Sequence, residues 1–414
     1  MARKAKEKKA NKRSNGDGSL RQRKDGTWEG RYTAGINLAN GKPIRKSIYG
    51  KDKDDVAARL RKITSDIDSG LYVPPSKMTV KQWYEIWLAE YMGDKKPLTV
   101  LQYENMGENH ILPGLGAVKL SKLTAPQIQK FYNSLSKDRV TTVVKNGEEK
   151  KVNQKALSAK TIRNIHGILS KCLNTAVDQG IMRTNPAERV TVPKVIKAEI
   201  APLTEDQQRA FLKAISGHQY ERLFTVILFT GLRESEAIGL TWDCIDFKKG
   251  TLKVYRQLQK RKGNYYEFAP LKNDKTRRIT LAPFVLSVFR QQYREQAEKK
   301  LKAGISWHGF QNEEERKTAL VFTTDLGDHL GIATVWREYK KLVEKAGAPE
   351  ARIHDLRHTF AVNALQNGDD VKTVQENLGH ATAAFTLDVY GHVSERMKEE
   401  SARRQQAFIE SLRA

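Results

Sequence analysis

Cysteine is nearly absent. Cys172 and Cys244 are the only two in 414 residues. They cannot build a disulfide framework or a cysteine-based zinc site, which fits a reducing cytosol. Long apolar runs are also missing. The longest candidate, Leu223 to Leu232, is interrupted by Thr225, Thr230 and Gly231, far short of the ~20 residues of a membrane span. The N-terminus, MARKAKEKKANKRSNGDGS, has no apolar stretch and is not a secretory signal. No carboxylate cluster offers Mg²⁺ a seat. Acids are scarce overall, 48 Asp and Glu against 73 Lys and Arg, a formal net charge of +25. That surplus favours a polyanionic partner, nucleic acid ahead of an anionic membrane.

The length suffices for two or three domains. Residues 1–13 hold seven basic residues and one acid and read as a disordered arm able to wrap phosphates. Residues 14–72 read as a three-stranded antiparallel sheet with turns at Asp25-Gly26 and Asn40-Gly41, then a helix with Val56, Leu60, Ile63 and Ile67 on one face, closed by Gly70. Arg21, Arg23, Arg31, Arg45 and Lys46 make this sheet a candidate DNA reader. Residues 78–188 read as all-helical: one helix with Trp83, Ile86, Trp87 and Tyr91 inward, a second stopped near Pro113, an exposed hairpin around Asn146-Gly147, and a long helix ended by Gly180. Residues 199–414 are mixed and mainly helical, with short strands around 243–247, 251–257, 265–269 and 277–281. The fold class is therefore multi-domain α+β.

Four stretches carry chemistry. In TGLRESEAIGL, a buried helix ends at Gly231 and Arg233 opens the next one, three residues before Glu236. A buried guanidinium needs partners, and Glu236 or a phosphate at the helix start would serve. In LKNDKTRRI, Lys272 and Lys275 lie in a turn between two expected strands. In RIHDLRHTF, His354 and His358 stand four apart, as in a helical zinc site. That site would need a third ligand, and Arg357 would repel the metal. His354 and Arg357, three apart, share a helix face and suit a phosphate instead; His358 is then structural. In NLGHATAAFTLDVYGHV, His380 lies just past a helix end and Tyr390 ten residues on. Arginines clamp non-bridging phosphate oxygens, histidines relay protons, a lysine protonates a leaving oxygen, and a tyrosine attacks phosphorus.

Arg233, Lys272, His354, Arg357, His380 and Tyr390, with Glu236 in support, resemble in order and spacing the catalytic set of the tyrosine recombinase (phage integrase) family. Lys275 is the alternative lysine. The resemblance implies that residues 199–414 form the catalytic domain, ending in a tail helix with Ala407, Phe408, Ile409 and Leu412 as an apolar patch that docks in cis or on a neighbouring subunit. It makes residues 78–188 a core-binding domain that with the catalytic domain clamps duplex DNA. Residues 14–72 resemble the arm-binding domain of integrases from temperate phages and conjugative transposons of Gram-positive bacteria.

The implied activity is site-specific recombination through a 3′-phosphotyrosyl intermediate, integrating and excising a mobile element, with no cofactor, metal or ATP. The implied partners are double-stranded attachment sites, a homotetramer on DNA, an excision factor and a host DNA-bending protein. The implied location is the bacterial cytoplasm, at the nucleoid. A type IB topoisomerase shares the chemistry, and a non-catalytic DNA-binding regulator would need only the basic sheet; these are the competing expectations.

Overall fold

The computed structural model describes residues 18–36, 40–70, 72, 77–145, 148–196, 201–263, 265–271, 275–380, 382 and 394–413, with backbone alone for 139–152 and 394–401. The chain divides into two compact units, Met1–Ile196 and Lys197–Ala414. The expected basic arm at 1–13 lies outside the described residues.

The first unit opens with β1 (Ser19–Gln22), β2 (Trp28–Ile36) and β3 (Pro43–Gly50), paired antiparallel in that order, followed by α1 (Lys53–Asp68). Strand alternation sorts the side chains into two faces. Gly30 and Tyr32 face α1: a Cβ on Gly30 would sit 3.1 Å from Ile48 and 3.2 Å from Val56. Glu29, Arg31 and Thr33 point the other way, opposite Arg21, Tyr49, Ser47 and Arg45 in the register. Lys46 pairs with Tyr32 and so belongs to the helix side, not to the open face. Inside α1 the third buried position belongs to Thr64, whose hydroxyl donates to Leu60 O and Arg61 O, while Ile63 and Ile67 are half-buried.

The helical part runs α2 (Val80–Glu90), α3 (Pro97–Met106), α4 (Leu112–Leu115), α5 (Ala125–Leu135) and α6 (Ala159–Asp178). Val80, Trp83, Tyr84 and Trp87 form the buried stripe of α2; Ile86, expected inward, is exposed because Tyr84 takes the core side. The second helix does end near Pro113, at Leu115. A π-helical turn over Gly107–Ile111 shifts the ladder just before Pro113, which has no N–H to give to it. Strands β4 (Arg139–Lys145) and β5 (Glu148–Gln154) form the expected hairpin, with Asn146-Gly147 outside the described residues. Trp83 Nε1 donates to Cys172 O at 2.9 Å and Trp87 Nε1 to Thr175 Oγ1 at 3.2 Å, tying α2 to α6.

The second unit begins with α7 (Glu205–Ile215), α8 (Glu221–Thr230) and α9 (Glu234–Ile238). Then come β6 (Ile245–Asp246), β7 (Thr251–Val254), β8 (Arg256–Lys260), β9 (Tyr266–Pro270) and β10 (Arg277–Thr280). The expected single strand at 251–257 breaks at Tyr255. As a result β8 pairs with β9 as a hairpin, and β10 joins β7 and β6 in a separate sheet. The two strands that flank the lysine segment, β9 and β10, thus belong to separate sheets. The rest is helical: α10 (Pro283–Ala303), α11 (Glu313–Thr318), α12 (Ile332–Lys345), α13 (Ile353–Gln366), α14 (Val371–Leu378) and the tail helix α15 (Ser394–Arg413). Among the described residues, no helix is long and apolar enough to cross a membrane.

Trp87 is fully buried and stacks on Tyr103 at 5.6 Å. Trp87→Ala should cost about 3–5 kcal/mol in urea unfolding of the full chain. A loss under about 1 kcal/mol would contradict its place in this core.

Candidate active site

The helix α8 is apolar nearly all round and needs a sharp end. Gly231 supplies it in the left-handed region at φ 65°. A Cβ there would lie 2.5 Å from Phe360 and 2.8 Å from Leu378, so the turn also packs against α13 and α14. The next turn leaves Arg233 as the cap before α9, not inside its first turn. Glu236 holds it twice, accepting from the Arg233 backbone N–H at 2.9 Å and from Nη1 at 2.7 Å. Arg233 Nη2 lies 3.5 Å from Gly379 O.

Asp355 fixes the start of α13 by accepting from the Arg352 backbone N–H and side chain. One turn further, Arg357 is 1% exposed. Its Nη1 donates to Gly231 O at 2.7 Å and its Nη2 to Leu378 O at 2.6 Å. Both carbonyls close helices, α8 and α14, where the helix dipole is negative. A guanidinium carries five N–H groups, and these two bonds account for two of them. Helix α14 is capped by Asp370 and ends at Gly379, φ 65°, which delivers His380; the His380 N–H donates to Gln375 O. Arg233, Arg357 and His380 therefore meet at one helix end, although Arg233 and Gly379 are 146 residues apart.

The electrostatics are those of a cation-rich cluster. Burial lowers the His380 pKa to about 3, and the charges of Arg357 and Arg233 push in the same direction. Burial lowers His354 to about 4, with His358, Arg357 and Arg233 adding to it. His358 also falls to about 4, chiefly through burial. The His354 and His358 rings meet edge-on at 4.7 Å. All three imidazoles are neutral at pH 7 in the free chain. Burial would raise the Glu236 carboxyl, but hydrogen bonds and charge from Arg277 and Arg233 outweigh it and bring it to about 2. Two guanidinium groups thus share one carboxylate, leaving net positive charge where an anion can bind. Glu234 is the exception: burial pushes it up to about 7, and its Oε1 has no hydrogen-bond partner among the described residues.

The structure brings Arg233, Glu236, His354, Arg357 and His380 together. Lys272 and Tyr390 lie outside the described residues, and Lys275 is exposed. In the sheet of the first unit, Arg21 and Arg31 converge on Glu29, which also accepts from Ser47 Oγ at 2.7 Å. Arg45 is exposed on the same face; Arg23 lies over the Tyr49 ring at 5.3 Å. Two residues escaped the sequence reading. Glu29, 3% exposed, is an acid at the centre of a basic face, visible only once the register sets it opposite Arg21. Arg277 donates to Glu236 from both terminal nitrogens. Nothing in TRRIT distinguishes it from the exposed Arg278 beside it.

A family model described as the phage integrase family matches residues 202–397, and one described as the phage integrase N-terminal SAM-like domain matches residues 79–136. A tyrosine recombinase XerC-like protein of Caldanaerobacter subterraneus subsp. tengcongensis is 31% identical over 376 residues, covering 87% of this chain and 90% of its own. An integrase of Streptomyces ambofaciens is 27% identical over 404 residues, covering 92% of this chain and 93% of its own. Among solved structures, the Tn1549 transposon integrase in complex with a circular intermediate DNA superposes with a TM-score of 0.63 at 22% identity, covering 80% of this chain and 100% of that one.

The pKa shifts make stability depend on pH. Glu234 has a folded value of about 7 against 4.5 when free, so its contribution is full below 4.5 and is lost as pH rises through 7. Glu234→Gln should therefore raise the melting temperature at pH 8 and leave it unchanged at pH 4.5. Equal gains at both pH values would contradict a buried, unpartnered carboxyl.

Proposed function

The chain belongs to the phage integrase family of tyrosine recombinases, and from that premise we propose that Tyr390 attacks a DNA phosphodiester seated between Arg233 and Arg357. The protein is a site-specific DNA recombinase of the kind carried by mobile elements. The observation that carries the residue assignment is the meeting of both arginines at the end of α14, one residue before His380.

In this assignment the Tyr390 hydroxyl oxygen forms a bond to phosphorus and the bond to the 5′-oxygen breaks, giving a 3′-phosphotyrosyl link and a free 5′-hydroxyl. Arg233 and Arg357 hold the non-bridging oxygens and offset the charge that builds there; one such donor is typically worth ~3–4 kcal/mol. His354, three residues before Arg357 in the helix, assists proton transfer from the tyrosine, which at an ordinary pKa of ~10 would stay on the phenol at neutral pH. Lys272, or Lys275, protonates the leaving oxygen. His380 supports the phosphate. Rejoining reverses the steps with a different 5′-hydroxyl, and the bond energy stays in the covalent link throughout.

The other assignments follow the same premise. Residues 14–72 read arm-type DNA with the open sheet face of Arg21, Arg31 and Arg45. Residues 78–188 hold the core site, and residues 199–414 perform catalysis. Four copies act together on two DNA sites in the bacterial nucleoid, with an excision factor and a DNA-bending host protein deciding direction. The exposed Phe408, Ile409 and Leu412 on α15 support docking of the tail on a neighbouring copy.

A nicked substrate that loses its 5′-hydroxyl strand after cleavage traps the covalent product. The unaltered chain should give a protein–DNA adduct on a denaturing gel, and Tyr390→Phe should give none. An adduct with the Phe variant would move the nucleophile elsewhere.

A further inference from the structure

Arg277 is the first residue of β10, and its side chain is 7% exposed. Each of its three guanidinium nitrogens has an acceptor. Nε donates to Asn377 O at 2.7 Å, Nη1 to Glu236 Oε1 at 3.1 Å and Nη2 to Glu236 Oε2 at 2.6 Å. The last two form a bidentate fork on the carboxylate, a geometry that only a planar guanidinium can supply.

The partners matter more than the count. Glu236 is the carboxylate that holds the Arg233 backbone and guanidinium. Asn377 is two residues before Gly379, whose turn delivers His380. The Arg277 side chain also lies against that turn: a Cβ on Gly379 would come 3.1 Å from Arg277 Cδ and 3.2 Å from Nη1. Along the chain, Arg277 closes the segment that carries Lys272 and Lys275. One side chain thus links the cap of α9, the end of α14 and the start of β10.

We propose that Arg277 is a positioning residue for strand cleavage: it fixes the Glu236 carboxylate, and through it the Arg233 guanidinium, relative to the His380 turn. The inference rests on the reading of Arg233 as a phosphate clamp. Without Arg277, Glu236 has one guanidinium instead of two and can rotate with it, so Arg233 loses its fixed aim. A displacement of about 1 Å at such a group costs on the order of 10²-fold in rate.

The test is a double-mutant cycle on single-turnover adduct formation by the full chain. Arg277→Lys keeps the charge but not the fork. It should slow cleavage on the order of 10²-fold with duplex affinity unchanged. In an Arg233→Lys background the same change should cost less than about 3-fold, because the group it aims is already gone. Rate constants are read from the molecules that react, so a smaller folded fraction lowers amplitude and not rate. Multiplicative losses in the two backgrounds, or no loss from Arg277→Lys alone, would overturn the proposal. Absence of any adduct from the unaltered chain would instead remove the reading beneath it.

Discussion

The buried guanidinium of Arg357 is the interaction on which the second unit's cation cluster depends. It bonds Gly231 O and Leu378 O, the last carbonyls of two helices that the chain places 147 residues apart. Burying such a charge is costly unless it is fully hydrogen-bonded. Two helix C-termini answer that cost with partial negative charge that needs no extra carboxylate. The consequence is geometric: wherever Arg357 sits, the turn leading to Arg233 and the turn leading to His380 must sit beside it.

Glu236 makes a second such knot. It is 1% exposed, yet ionised, because Arg233 and Arg277 both reach it. The two knots together join α8, α9, β10, α13 and α14 around a small volume rich in positive charge. That arrangement explains why His354, His358 and His380 all have depressed pKa values: they are partly dehydrated and surrounded by arginine. The same field that keeps the imidazoles neutral favours an anion beside them.

Much of this was legible in the sequence, and what was not has a physical cause. Local signals served well. Gly231 and Gly379 marked helix ends because only glycine enters the left-handed region cheaply, and the i,i+3 spacing of Arg233 and Glu236 announced their pair. Amphipathic stripes were right in outline and wrong in detail: Tyr84 displaced Ile86, and Thr64 took a place expected for isoleucine. Long-range choices were hidden. Arg277 meets partners 41 and 100 residues away, and no pattern in its own strand reveals them. Lys46 looked like its neighbour Arg45 until the register with Tyr32 put it on the helix side. The strands that flank the lysine segment fall in different sheets, β9 with β8 and β10 with β7, because pairing partners, not strand propensity, decide a sheet.

As a phosphate seat, the cluster of Arg233, Arg357 and His380 has to be preformed and positively charged before DNA arrives. The most direct measurement is an NMR pH titration of the His380 side chain in the full chain, alone and bound to a duplex carrying the crossover site. In the free chain His380 should stay neutral down to about pH 4, consistent with its value of about 3, and DNA should move its titration upward. A free-chain midpoint near the ordinary ~6.5, unaffected by DNA, would contradict the account.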